Sequence, residues 1–266
     1  MSQSLPPRAR FNVLVPTAHG SMIVNRNDWQ DTPQGRVGVG HELMLHGDYQ
    51  PEEMSLLAQL ARACAPGAVA LDIGANIGVT TLVLAEAIGP QGMVHAFEPQ
   101  RLLFQALMGN VAIASLTNVH GHHMALGREP GVLALPPLDY TRNWSFGGLN
   151  LHGHSPDPQA PGGPGEGLAP PEHVNVRVLD DYGFARVDLV KLDVEQMEED
   201  VLLGGEATLT RCRPLMQVEW LGKDGGRVPR LLSDWNYLVY QTGINLVCVP
   251  EERGEQVVLP GAPRLA

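Results

Sequence analysis

The sequence predicts a doubly wound α/β fold: a mostly parallel sheet with helices on both faces. Three observations lead there. Short apolar runs that end in an acid alternate with segments of helical periodicity. The first of these runs, Val69-Ala70-Leu71-Asp72-Ile73, passes through Gly74 and Gly78 directly into a helical segment. The last two runs, residues 237–241 and 245–249, are separated by three residues, which predicts an antiparallel pair at the end of the sheet.

The elements follow in chain order. Residues 1–10 are polar and proline-bearing and read as a loose end. Residues 11–15 and 21–24 carry a weak hairpin signal across Gly20. Pro51 sits at a first helical position, with Glu52 and Glu53 suited to a helix start. Met54, Leu56, Leu57, Leu60 and Ala61 then recur at helical spacing up to Pro66-Gly67. Residues 1–66 are therefore expected as an extension packed on a main domain of residues 67–266. A helix over residues 79–88 stops at Gly89-Pro90. Residues 93–97 read as the second strand, 101–114 as a helix and 118–122 as the third strand. Residues 153–171 are almost all Gly, Pro and small polar residues and read as an insertion. The loop before it holds Tyr140, Trp144 and Phe146, as an anchor or as a substrate contact. Residues 174–178 read as an edge strand. Residues 188–193 read as the fourth central strand, followed by a helix containing Val194, Met197, Val201 and Leu202. Residues 214–220 read as the fifth strand, and 228–235 as a short helix.

Composition narrows the function. Among 266 residues, 44% hydrophobic content supports a sizeable core, and a formal net charge of −11 argues against a nucleic-acid or anionic membrane surface as partner. A small or neutral substrate is the easier fit, and a homo-oligomer is compatible. Cys64, Cys212 and Cys248 lie far apart, with neither metal-ligand spacing nor a disulfide framework, which points to a reducing cytoplasm. No stretch has the length of a membrane span, and the N-terminus lacks the apolar core of a signal peptide.

In a doubly wound sheet, ligands sit outside the carboxyl ends of the strands. Four strands here end in acids, Asp72, Glu98, Asp193 and Glu219, which places all four on one rim. Glu98 lies roughly 20 residues beyond the glycine turn, where an acid accepts hydrogen bonds from two ribose hydroxyls. The ligand should therefore contain a nucleoside. A dinucleotide fingerprint needs a central glycine for close pyrophosphate approach, and Asn76 stands there. Asp72 before the turn also repels a phosphate but suits an amino group or a sulfonium. S-adenosylmethionine is thus favoured over a nicotinamide dinucleotide. A nicotinamide-dependent oxidoreductase and a non-catalytic nucleoside-binding protein are the alternatives.

These residues resemble the FkbM-type methyltransferases. The resemblance is carried by Leu71-Asp72-Ile73-Gly74-Ala75-Asn76-Ile77-Gly78, Ala96-Phe97-Glu98-Pro99, Asn110 and Asn118-Val119. A later block, Val187-Asp188-Leu189-Val190-Lys191-Leu192-Asp193-Val194-Glu195, continues through Glu198, Gly204 and Arg213-Pro214 to Glu219. It covers roughly residues 40–250. It implies a class I methyltransferase fold, Rossmann-like with seven strands, S-adenosylmethionine as donor, and O-methylation of a sugar or natural-product hydroxyl. Gln196 departs from the pattern, standing where glycine is usual.

By resemblance and position, Gly74, Ala75, Asn76 and Gly78 shape the loop around the methionine portion. Asp72 holds its amino group, directly or through water, and Glu98 holds the ribose. Adenine lies near residues 123–126, at Met124 and Ala125, with Met124 and Leu126 alternatively in the core. Asp193 and Glu195 are the candidates for the base that accepts the hydroxyl proton. His41, His122 and His123 are alternatives. Asp193, Glu195 and Glu219 could together hold a divalent metal, which is not favoured. Lys191 is expected to neutralise one of the acids, and Glu53 to sit on a solvated helix face, with a cofactor contact as the alternative.

Overall fold

The computed structural model describes residues 10–33, 35–149, 171–256 and 262–265. The insertion expected at 153–171 falls, apart from Pro171, outside the described residues. The chain begins with a hairpin, β1 (Asn12–Thr17) and β2 (Gly20–Asn25), and a second short one, β3 (Gln30–Thr32) and β4 (Gly35–Val37). Helices α1 (Val39–His46) and α2 (Pro51–Arg62) lead to β5 (Val69–Ile73). Then come α3 (Val79–Ile88), β6 (Met93–Phe97), α4 (Arg101–Ile113), β7 (Val119–His122), β8 (Ala125–Leu126) and β9 (Gly131–Leu135). The second half holds β10 (Glu172–Arg177), β11 (Leu189–Leu192), α5 (Glu198–Gly204), α6 (Glu206–Cys212), β12 (Leu215–Glu219), α7 (Arg227–Asp234), β13 (Tyr237–Thr242) and β14 (Asn245–Pro250).

Seven strands form the main sheet in the order β13-β14-β12-β11-β5-β6-β7. The five from β12 to β7 are parallel, and β14 runs antiparallel to both β12 and β13. This is the Rossmann-like class I methyltransferase topology. Its strands are apolar on both faces because helices cover both. Ala70, Val94, Leu189 and Leu215 face a core shared with α2, α3 and α4. Leu71, Ile73, Val190, Leu192, Met216 and Val218 face the core beneath α5, α6 and α7. Neighbouring side chains on each strand thus alternate between the two layers.

Four readings from the sequence need correction. β10 is no edge strand of the main sheet: it is the middle strand of a separate sheet, β8-β10-β9. β8 has only two residues, and the pairing of β10 with β8 and β9 joins segments distant in sequence, which no local pattern shows. The helix after β11 begins at Glu198, not Val194, because Glu195 and Gln196 both take left-handed conformations that no helix accepts. α1 begins in the glycine-rich stretch that gave no helical signal. Glu53 is not on a solvated face. Its carboxylate accepts hydrogen bonds from Gln217 Nε2 (2.7 Å) and Asn245 Nδ2 (2.9 Å), and Lys191 Nζ lies 3.6 Å away.

The first hairpin belongs to the core. Met22 and Val24 are fully buried with Leu43 and Leu107. Asn110 of α4, also fully buried, accepts the backbone N–H of Ile23 and donates to the carbonyls of Ile23 and Ile77. One side chain thus joins β2, α4 and the turn before α3. Asn118 acts similarly, donating to the carbonyls of Ala85 and Gly89 at the end of α3 (both 3.0 Å). Asn110→Ala leaves buried N–H and C=O groups without partners and should cost roughly 3 kcal/mol of stability, read from urea denaturation.

Candidate functional site

The carboxyl ends of β5, β6, β11 and β12 converge on one cavity of about 270 Å³. Gly74 begins the turn after β5 at φ +88°, and a Cβ there would lie 1.7 Å from the Asp193 carbonyl. The turn and the end of β11 therefore touch backbone to backbone, which only glycine permits. Asn76 follows with φ 52°, a conformation that Asn tolerates through local hydrogen bonding; its Oδ1 accepts the N–H of Ile77 at 2.7 Å.

Glu98 is bound to the same turn. Its two carboxylate oxygens accept the backbone N–H groups of Asn76 and Gln100, both at 2.8 Å, and the residue is 4% exposed. Burial pushes its pKa up to about 7, against the pull of those two donors. Met124, Ala125 and Leu126 border the cavity just past β7. They also pack in the core, with Ala125 at 5% and Leu126 at 2% exposure.

On the other side of β5 stand Asp193, Glu195 and Glu219. One carboxylate oxygen from each lies within 4.8 Å of the others. Lys191 Nζ donates to Asp193 Oδ2 at 3.0 Å. Burial, together with the charge of Asp193, raises Glu195 to about 7 and Glu219 further still. Tyr49, close by, is held well above its ordinary value by burial and by the nearby acids, so its hydroxyl keeps its proton.

A model of the methyltransferase FkbM domain matches residues 72–239, well over half of the chain. The chain belongs to the FkbM methyltransferase family. That family is dependent on S-adenosylmethionine. Methyltransferase 1 of Beauveria bassiana (strain ARSEF 2860) is 31% identical over 142 residues, covering 50% of this chain and 57% of that protein. The chain thus spans little more than half the length of that relative. Among solved structures, an FkbM methyltransferase from Methylobacillus flagellatus KT aligns at 14% identity and TM-score 0.48, over 69% of this chain and 43% of that one. The O-methyltransferase TomG from Streptomyces achromogenes, solved in complex with SAM, aligns at 16% identity and TM-score 0.47, over 76% and 81% of the two chains.

The site of this FkbM-family chain differs in places from the sequence expectation. Of the residues singled out, Gly74, Ala75, Asn76, Glu98, Met124, Ala125, Asp193 and Glu195 border the cavity, whereas Asp72 and Gly78 do not. Register explains Asp72. It pairs with Lys191, so it lies below the level of Asp193 on the strand. It also points into the α2–α3 layer, where Thr81 Oγ1 donates to it. Gly78, between two residues that border the cavity, is closely packed: at φ +95°, a Cβ there would lie 2.5 Å from Leu107 Cδ1. The three histidines are elsewhere. His122 stacks on Phe97 with ring centroids 4.5 Å apart, His123 Nε2 lies 3.1 Å from the Pro99 carbonyl, and the backbone N–H of His41 donates to the Asp28 backbone carbonyl.

Sequence reasoning missed the wall formed by Val37, Gly38, Val39 and Glu42, and also Tyr49. The glycines at 38 and 40 were its only signal. The loop at Trp144 is anchored by Phe146, which is fully buried, while Ser145, Gly147 and Gly148 border the cavity. Gln196, at φ 77°, does not reach this cavity; it borders a second one of about 570 Å³ between α5 and α7, which shares Glu219 with the first.

Two outcomes follow from this geometry. Gly74→Ala should lower the thermal midpoint and weaken S-adenosylmethionine binding at least tenfold by calorimetry, because the Asp193 carbonyl must move. Asp72 concerns pH. Burial raises its pKa from 3.8 to about 6, so folding favours the neutral form. That contribution is full below about pH 4 and is lost as pH rises through about 6. Asp72→Asn should therefore be more stable than the native chain at pH 8, by roughly 2 kcal/mol in urea titrations, with a shallower decline between pH 4 and 7.

Proposed function

We propose that this FkbM-family chain O-methylates a hydroxyl of a small, sugar-like or natural-product-like acceptor, with S-adenosylmethionine as donor. One observation carries this reading: a single cavity has a nucleoside-type carboxylate, Glu98, on the β6 side of the glycine turn, and three further carboxyl groups on the β11–β12 side. The donor half and the acceptor half are thus divided along the sheet.

The residues fit the donor. The Gly74 turn is a cradle that a Cβ would fill, and Gly74, Ala75 and Asn76 surround the methionine portion. Glu98 keeps lone pairs free, beyond those that take the Asn76 and Gln100 N–H groups, to accept ribose hydroxyls. Met124 and Ala125 flank the adenine. The nicotinamide reading is disfavoured because the Asn76 amide fills the space against Gly147, where a Cβ would lie 2.4 Å from Nδ2. When bound, S-adenosylmethionine supplies an electrophilic methyl group.

The chain's own contribution is alignment and proton removal. Asp193, oriented by Lys191, holds the acceptor hydroxyl, and a Glu195 oxygen takes its proton. A carboxyl group that titrates near neutrality suits such a base. Lys191 already supplies a counter-charge to Asp193, so a resident divalent ion is not part of this reading. The three cysteines are free thiols, which suits a cytoplasmic setting, and no described helix is long and apolar enough to cross a membrane.

Calorimetry tests the division of the site. The native chain should bind S-adenosylmethionine and not NAD. Glu98→Ala should weaken that binding at least tenfold. Glu195→Ala should leave it within about twofold yet lower kcat by 10²-fold or more, on the order expected for loss of a general base. Equal losses of affinity in the two variants would show that the rim is not divided in this way.

A further inference from the structure

The family match begins at residue 72, yet part of the cavity wall is built by residues 37–42, upstream of it. Another part is built by residues 145–149, from the Trp144 loop. These two walls are far apart in sequence and share one buried side chain. Asp28, 2% exposed, accepts the N–H of Gly40 on Oδ2 (2.9 Å) and the N–H of Phe146 on Oδ1 (3.0 Å). Gly40 lies in the first turn of α1, next to Val39, which borders the cavity. Phe146 sits between Ser145 and Gly147, which border it too.

The connection continues to the carboxylate proposed for the ribose. The Phe146 carbonyl accepts Gln100 Nε2 at 2.7 Å, and the Gln100 N–H donates to Glu98 Oε1 at 2.8 Å. An unbroken hydrogen-bonded path thus runs from Gly40 through Asp28, Phe146 and Gln100 to Glu98. Its surroundings are close-packed. The N–H of Trp144 donates to the Asn27 carbonyl at 3.0 Å, and a Cβ on Gly38 would lie 2.3 Å from the Asp28 carbonyl.

We propose that Asp28 is a positioning residue of the donor site, pinning the N-terminal wall and the Trp144-loop wall to each other and, through Gln100, to Glu98. This rests on the reading of the cavity as the S-adenosylmethionine site. The chemistry requires a carboxylate. Two backbone donors approach its two oxygens, so an acceptor-only group satisfies both. Asparagine has the same shape but turns an NH₂ toward one of the N–H groups, losing one bond and adding a repulsion. The group is retained although burial raises its pKa to about 6, so its charge is held at a cost.

The test compares Asp28→Asn with the native chain and with Leu209→Ala, a destabilising change in the core under α6, on the opposite face of the sheet. S-adenosylmethionine affinity is measured by calorimetry, and amide exchange is followed at Gly40 and Phe146. We expect a folded Asp28→Asn variant with at least tenfold weaker affinity and faster exchange at both amides without ligand. Leu209→Ala, destabilised away from the cavity, keeps native affinity. Affinity within twofold of native in a folded Asp28→Asn overturns the proposal. If that variant does not fold, the native chain decides: added S-adenosylmethionine must slow exchange at residues 38–40 and 145–147, and no slowing overturns it. If the native chain does not bind S-adenosylmethionine, the cofactor reading fails, and this inference fails with it.

Discussion

A single buried cation organises the centre of this molecule. Lys191, 3% exposed, lies in the middle of β11, where the alternation of the strand turns it into the layer under α2 and α3. An ammonium cannot remain there without partners. It finds Asp193 at 3.0 Å and Glu53 at 3.6 Å, with Asp72 beside it on β5 and Gln217 beside it on β12. Burial alone would drive its pKa down; Asp193 and Glu53 outweigh that and raise it, so the charge is kept. The consequences reach outward. Glu53 is drawn inward from α2 and ties down Gln217 and Asn245. Asp193 is held at the rim with one oxygen committed to the lysine. Asp72 pairs with Lys191 across the sheet and accepts the Thr81 hydroxyl in the layer under α3.

Above that layer, the rim is made by backbone contact. Gly74 touches the carbonyl of Asp193, so the turn after β5 and the end of β11 cannot move independently. Asn76 and Gln100 bring the next loop into the same unit by donating their N–H groups to Glu98. The glycine turn, the end of β11 and the Glu98 carboxylate are thereby fixed relative to one another, the kind of preorganisation that group transfer requires. Glu195 and Gln196 add strain just past β11, at φ 52° and 77° in consecutive non-glycine residues. Such conformations persist where surrounding contacts over-determine them. Here Glu198 Oε1 accepts the N–H groups of Val194 (3.2 Å) and Gln196 (3.1 Å).

Much of this was legible in the chain because the signals are local. The strand–glycine–helix corner at Val69 to Gly78, the acid tips Glu98, Asp193 and Glu219, and the terminal antiparallel pair are each written within a few consecutive residues. Asp72 shows the limit of that legibility. It is an acid near a strand end, like the others, but it lies within β5 rather than at its tip, and the pleat sends its side chain to the helical layer. The histidines show another limit. His122 and His123 follow the rim in sequence yet are taken up by packing against Phe97 and by a backbone carbonyl.

The sequence by itself determined the fold class, the family and the order of the rim, because hydrophobic periodicity, glycine turns and acid-tipped strands depend on near neighbours alone. Only the tertiary structure decided which acids share a cavity and that Glu53 joins Asp193 on Lys191, since that depends on register between strands and on how α2 packs against them. It alone also showed that residues 37–42 and the Trp144 loop are walls of one site, joined by Asp28. Asp28 precedes Phe146 by more than a hundred residues, and no periodicity or spacing records a contact that exists only once the chain has closed on itself.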